Sequence, residues 1–266
     1  MNRYKNAVIA VMMIAITILY GCTSDVDVDN TTSASIFNIT YNGNIKKITA
    51  EYVGNGGFGF LVILKDGISS SFKVYKDTKE YIPLTLGDGV YTIELYEVNE
   101  DKYIGNSSSL SLNVDKHDGI SSYTGVSYYS DYRNSEDELK SILNELYNED
   151  KKEFVHNIYE YTYKDIEYDY ETASMIKSST IQVYKPDIEK IINDKKGICL
   201  DKASLMASLL RYSNIPTKIV FGYFKENVYH SWVEVYIDKE WYMYDSTNGI
   251  TYEDNKDTLY KAVKYY

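Results

Sequence analysis

Gly197-Ile198-Cys199-Leu200-Asp201-Lys202-Ala203-Ser204 is the stretch on which the reading of this chain turns. Leu200, Ala203, Met206, Ala207 and Leu210 recur at steps of three and four, which predicts a helix with one apolar stripe. Asn214, followed by Ile215-Pro216, predicts its stop. Gly197 lets the chain approach closely just before the helix, so Cys199 falls on the first turn, outside the apolar stripe. A thiol there sits among N–H groups that have no intrahelical acceptor. A free cysteine titrates near about 8.5 and gains thiolate character at a helix start or beside a protonated imidazole. The Cys199 N–H is also placed to stabilise an oxyanion.

Two segments downstream supply the other parts of a nucleophilic constellation. Tyr229-His230-Ser231-Trp232-Val233-Glu234-Val235 and Trp241-Tyr242-Met243-Tyr244-Asp245-Ser246-Thr247 both read as strands. If Asp238-Lys239 is a two-residue hairpin loop, Ile237 opposes Glu240 and, counting on, Trp232 opposes Asp245. His230 and Trp232 share a face, so His230 and Asp245 become diagonal neighbours with backbones roughly 7–8 Å apart. A three-residue loop would reverse the parity and put Asp245 on the other face. A third strand is expected over 218–224. Upstream, Ser135-Glu136-Asp137-Glu138 resembles a helix start, followed by Leu139, Ile142, Leu143 and Leu146 at helical spacing. A second helix is expected over 151–161. A unit end is expected at 168–172, and a short helix with Pro186 in its first turn is expected to run to Ile192.

Together with Leu209-Leu210-Arg211, Ile215-Pro216-Thr217-Lys218 and Gly222-Tyr223, these motifs resemble the transglutaminase-like core family. The resemblance implies a papain-like α+β fold over residues 135–266. It also implies Cys199 as nucleophile, His230 as base and Asp245 as the residue that orients the imidazole. Lys202 stands where that family often has an aromatic residue, and Ser246 where proline is frequent. The implied reaction is acyl transfer on a peptide or side-chain amide, with hydrolysis favoured over cross-linking and a protein or peptide as substrate, cell-wall peptide among the candidates. No metal or other cofactor is implied. The alternative is a non-catalytic lipoprotein adhesin or scaffold that binds cell-wall or protein ligands; loss of any of Cys199, His230 or Asp245 would have favoured it.

Residues 34–115 read differently. Seven short runs, over 36–41, 48–53, 58–64, 72–75, 81–86, 91–98 and 110–114, alternate with turn signals such as Asn42-Gly43, Asp66-Gly67 and Asp88-Gly89. That spacing predicts an antiparallel sandwich of immunoglobulin type. The fold class is therefore α+β, a papain-like core preceded by an all-β immunoglobulin-like domain. The Gly/Ser/Tyr-rich stretch 116–134 between them reads as a linker.

The N-terminus carries Arg3 and Lys5, then an uncharged, mostly apolar run from Ala7 to Tyr20 that ends Gly21-Cys22. Residues 1–21 read as a secretion signal, shorter than a membrane span. The Gly-Cys ending resembles a bacterial lipobox, which implies lipidation of Cys22, an extracytoplasmic location and attachment to the cell membrane. Residues 22–33 are short, polar and acidic and read as a flexible tether. With Cys22 lipidated, Cys199 is left without a disulfide partner, a candidate reactive thiol.

The chain of 266 residues has a formal net charge of -11. Loss of Arg3 and Lys5 with the signal leaves -13, so bulk charge does not attract nucleic acid. His117 lies in a polar stretch and reads as a surface residue, and His156 as a helix residue. The acidic runs Asp25, Asp27, Asp29 and Glu167, Asp169, Glu171 read as solvated rather than as calcium ligands. The 30 tyrosines are spread over every segment, which suggests base composition more than carbohydrate binding.

Overall fold

The computed structural model describes residues 25–26, 31–34, 36–99, 102–181, 183–254 and 257–266. The expected signal peptide 1–21 and the lipidation site Cys22 lie outside them, as do tether residues 23–24 and 27–30.

The N-terminal half is built from strands β1 (Asp25–Val26), β2 (Thr31–Ala34), β3 (Phe37–Asn42), β4 (Lys47–Tyr52), β5 (Phe58–Lys65), β6 (Ile68–Tyr75), β7 (Lys79–Pro83), β8 (Gly89–Asn99) and β9 (Lys102–Val114). They form two sheets, ordered β2-β3-β4-β7 and β1-β9-β8-β5-β6. Within the stretch expected as a tether, β1 runs parallel to β9 and β2 pairs with β3, so its described residues serve sheet edges. Alternation does the rest. Phe37, Ile39 and Tyr41, then Ile48, Ala50 and Tyr52, face inward from one sheet; Leu61, Ile63, Tyr91, Ile93 and Leu95 face inward from the other. Asp66-Gly67, both at positive φ, closes β5 onto β6 as a two-residue hairpin.

The C-terminal half contains α1 (Glu136–Leu146), α2 (Lys151–Lys164), β10 (Glu167–Tyr168), α3 (Tyr170–Lys177), α4 (Ile188–Asp194), β11 (Lys196–Gly197), α5 (Cys199–Tyr212), β12 (Thr217–Phe224), β13 (Val228–Ile237), β14 (Glu240–Asp245), β15 (Ile250–Thr251) and β16 (Tyr260–Tyr265). The last five strands form a sheet ordered β15-β14-β13-β12-β16, and α5 packs on its β12 and β13 strands. The α5 helix is buried on every side from Leu200 to Arg211, not along one stripe, because α1, α2 and α4 also pack against it. Asn214 adopts φ +59 and stops it, with Ile215 N–H donating to Leu210 O. Pro186 precedes α4 instead of entering its first turn: Asp187 is the N-cap and accepts from Lys190 N–H.

Residues 116–134, expected as a linker, are packed. Tyr123, Tyr128 and Tyr132 are buried, and the rings of Tyr128, Tyr129 and Tyr266 surround Phe72 of β6 at 5.1, 6.4 and 5.9 Å. Two buried basic side chains hold this strap. Lys47 Nζ donates to the carbonyls of Thr124 and Val126. Arg211 donates to Ser127 Oγ, Ser130 Oγ, Thr217 O and Tyr266 O. Tyrosine rings with large apolar area fill the seam, while the Lys47 and Arg211 donors satisfy strap carbonyls and hydroxyls that burial would otherwise leave unpaired.

Candidate active site

Cys199 is half-buried on the first turn of α5. The approach to it is fixed by β10 and β11, which pair in parallel with Tyr168 opposite Gly197. Lys195, at φ +50, ends α4 and turns the chain into β11. A Cβ on Gly197 would sit 2.5 Å from Asp201 Cβ, so only glycine fits this approach. Asp201 reaches back to the Ile198 N–H at 2.9 Å; Ile198 has no side-chain oxygen to complete a reciprocal cap. The Tyr184 hydroxyl donates to the same Asp201 oxygen at 2.8 Å. Burial pushes the Asp201 carboxyl up to about 6, against the pull of those two bonds.

The β13–β14 hairpin has the two-residue loop expected. Ile237 opposes Glu240, Tyr236 opposes Trp241, and the ladder continues to Val233 opposite Tyr244. Asp245 therefore ends β14 on the face that carries His230. The His230 Nε2–H donates to Asp245 Oδ2 at 2.7 Å, with both side chains buried. The Cys199 thiol is close enough to act on the same ring, raising the His230 pKa along with Asp245. Burial works to lower the His230 pKa, but the bonds to Asp245 and Cys199 and their charges outweigh it and raise it to about 9. The imidazolium is thus the favoured form at neutral pH. Asp245 shifts the opposite way. Burial would raise it, yet the bonds from His230, Tyr260 and Asn248 and the His230 charge hold it below the ordinary carboxylate range.

His230 and Asp245, which the sequence places on two separate strands, therefore form a buried pair, and Cys199 stands near its imidazole. Neither of the other histidines joins them. His117 Nδ1 accepts from Gly119 N–H and its Nε2 lies 2.8 Å from Leu84 O, while His156 stands exposed on α2. Asp169 caps α3 and pairs with Lys196. Among the described residues no group of three or more His, Cys, Asp or Glu is arranged to hold a metal ion.

Two residues at the site were missed in the sequence. Asn248 Nδ2 and the Tyr260 hydroxyl each donate to Asp245 Oδ2 at 2.7 Å. Asn248 follows Asp245 by three positions in a turn-forming run, a faint local signal. Tyr260 has none. Lys202, also buried, donates to Ile166 O and Tyr163 O; burial lowers its pKa to about 8, against the pull of the Asp245 charge.

The fold and site define a mixed α/β chain with a half-buried helix-start thiol and a buried imidazole–carboxylate pair. Residues 140–246 match the model of the Transglutaminase-like superfamily, so the C-terminal half carries a transglutaminase-like domain. UPF0252 protein MJ1282 of Methanocaldococcus jannaschii is 30% identical over 136 residues, covering 45% of this chain and 38% of that protein. The chain thus spans about two fifths of the length of the curated relative it matches. Similar solved structures include a TGase, 22% identical, covering 45% of this chain and 33% of that one with a TM-score of 0.38. Another is a proposed cysteine protease from Cytophaga hutchinsonii, 15% identical, covering 90% of this chain and 82% of that one with a TM-score of 0.42.

Proposed function

We propose that this chain is a membrane-anchored cysteine acyl-transfer enzyme that hydrolyses peptide or side-chain amides, with Cys199, His230 and Asp245 as its catalytic residues. The observation that supports the reading is the buried hydrogen-bonded pair of His230 and Asp245, on whose imidazole the half-buried Cys199 thiol also acts.

The steps follow from that order. The Cys199 thiolate attacks the amide carbonyl carbon, and the C=O electron pair moves onto oxygen. The N–H groups of the first turn of α5, Cys199 N–H among them, face the resulting oxyanion. The His230 imidazolium gives its proton to the departing amine as the C–N bond breaks, leaving a thioester on Cys199. Neutral His230 then takes a proton from water, whose oxygen attacks the thioester; the C–S bond breaks, the acid departs, and the thiolate beside the imidazolium is restored. Asp245 holds the ring and balances its charge when protonated. The partial exposure of Cys199 leaves water a route to the thioester.

The remaining parts of the reading follow from sequence and topology. Lipidation of Cys22 tethers the enzyme on the outer side of the membrane, and the net charge of -13 left after loss of Arg3 and Lys5 keeps it off nucleic acid. The strand orders β3-β4-β7 and β9-β8-β5-β6 support an immunoglobulin-type sandwich over residues 34–115 that serves as a spacer or binding platform. The test is capture of an acyl thioester on Cys199 from an amide or activated acyl donor.

A further inference from the structure

Asp245 accepts more hydrogen bonds than its two catalytic partners require. Oδ2 accepts from His230 Nε2, Asn248 Nδ2 and the Tyr260 hydroxyl, each at 2.7 Å. Oδ1 accepts from the backbone N–H groups of Thr247 at 2.9 Å and Asn248 at 3.1 Å. An ionised carboxylate offers about four lone-pair sites, so both oxygens are saturated and the group cannot turn without breaking bonds. Tyr260 does a second thing. Its ring packs against Trp232 and Phe224 at 5.0 Å each and lies 6.4 Å from the His230 ring, walling the ion pair from one side. Both residues lie beyond the matched segment, which ends at residue 246. Tyr260 begins β16, which returns to pair with β12, Phe224 opposite Tyr260.

We infer that Asn248 and Tyr260 are positioning residues that lock the Asp245 carboxylate in the one rotation at which it meets His230, so that β16 completes the site. This rests on the proposed roles of Cys199 and His230. The other ionisable groups that act on Asp245 are Tyr159 of α2, Lys202 of α5 and His230 of β13. Lys202 spends its own bonds on the carbonyls of Tyr163 and Ile166, which leaves orientation of the carboxylate to Asn248 and Tyr260.

The sign of the effect follows. The donors favour the ionised carboxylate. With one removed, Asp245 takes up a proton at a higher pH as the solution is acidified. The carboxyl then no longer holds the ring through a charge-assisted hydrogen bond, and the imidazole is free to turn away from Cys199.

The test is the rate at which iodoacetamide alkylates Cys199, followed by peptide mass spectrometry from acid to neutral pH, which needs no substrate. Tyr260→Phe keeps the ring and its packing, and Asn248→Ala changes an exposed side chain. Each is expected to move the acid limb of the profile upward by about one pH unit, as a hydrogen bond to a charged group is worth roughly one to two pK units. In an Asp245→Asn background, neither is expected to have any further effect. An unmoved acid limb, or a shift of equal size in the Asp245→Asn background, overturns the inference. The underlying catalytic reading fails separately, if His230→Ala leaves the profile as it is in the wild type.

Discussion

Asp201 and Asp245 are both almost wholly buried within the same site, yet their carboxyls shift in opposite directions. Asp201 has two donors on one oxygen and a second buried oxygen with no partner, and burial prevails. Asp245 has five donors and a neighbouring imidazolium, and ionisation prevails. Desolvation alone therefore does not sort the two; the count of donors does. Asp245→Asn preserves shape but removes the charge that balances the imidazolium. Turnover is expected to fall roughly tenfold to a thousandfold, less than the four orders of magnitude for the matching change in a serine triad, because a cysteine–histidine ion pair leans less on its third member. Steady-state kinetics on any substrate the wild type cleaves checks it, and full retained activity would contradict it. The helix start at Cys199 and the pairing of His230 with Asp245 were legible in the sequence because each sits in a local pattern: a helix start, an alternating strand, a countable hairpin. Tyr260 was not. It is one of 30 tyrosines, and what distinguishes it is a strand pairing across nearly forty residues of chain.

At the scale of elements, the β13–β14 hairpin sets the site, because its register decides which face Asp245 takes. Its loop is strained: Asp238 adopts φ +53 and Lys239 φ +70, conformations that asparagine and glycine take at lower cost. Replacing the pair by Asp238→Asn with Lys239→Gly is expected to stabilise the protein by about 1 kcal/mol while leaving turnover unchanged. Denaturant titration checks the first part; a stability loss would mean that the loop is held by contacts its backbone angles do not reveal. Elements with a strong period were legible, as α1, α2, α5 and β12 to β14 show. The α3 helix was not, because none of its residues is buried and it has no apolar stripe to read. Short β15 and edge strand β16 were missed for a similar reason. Two residues make no pattern, and the β16 sequence Tyr-Lys-Ala-Val-Lys-Tyr is half-exposed along its length.

Across the whole molecule, buried residues of the N-terminal sheets, the strap 116–134 and the C-terminal core belong to one continuous hydrophobic cluster. Thr85 donates to Tyr265 O, Ser70 shares a hydrogen bond with the Tyr266 hydroxyl, and Arg211 joins the strap to β12 and the last residue. A linker was read in the sequence because Gly, Ser and Tyr form loops; what that composition hid is that tyrosines at a seam are core. The chain is accordingly expected to unfold in one cooperative step seen alike by tryptophan fluorescence, which reports Trp232 and Trp241 of the core, and by circular dichroism, which reports all sheets. Arg211→Met, which leaves four buried acceptors without their donor, should lower stability by about 3 kcal/mol or more and shift both signals together. Two separable transitions would contradict this. All of these layers converge on one thiol, and the most direct test of the account is intact-mass spectrometry of the protein quenched in acid during reaction with an amide or activated acyl donor. The account predicts an added acyl mass mapped to Cys199, removed by hydroxylamine, absent in Cys199→Ala and strongly reduced in His230→Ala. No adduct on Cys199, or an adduct formed equally fast without His230, would contradict it.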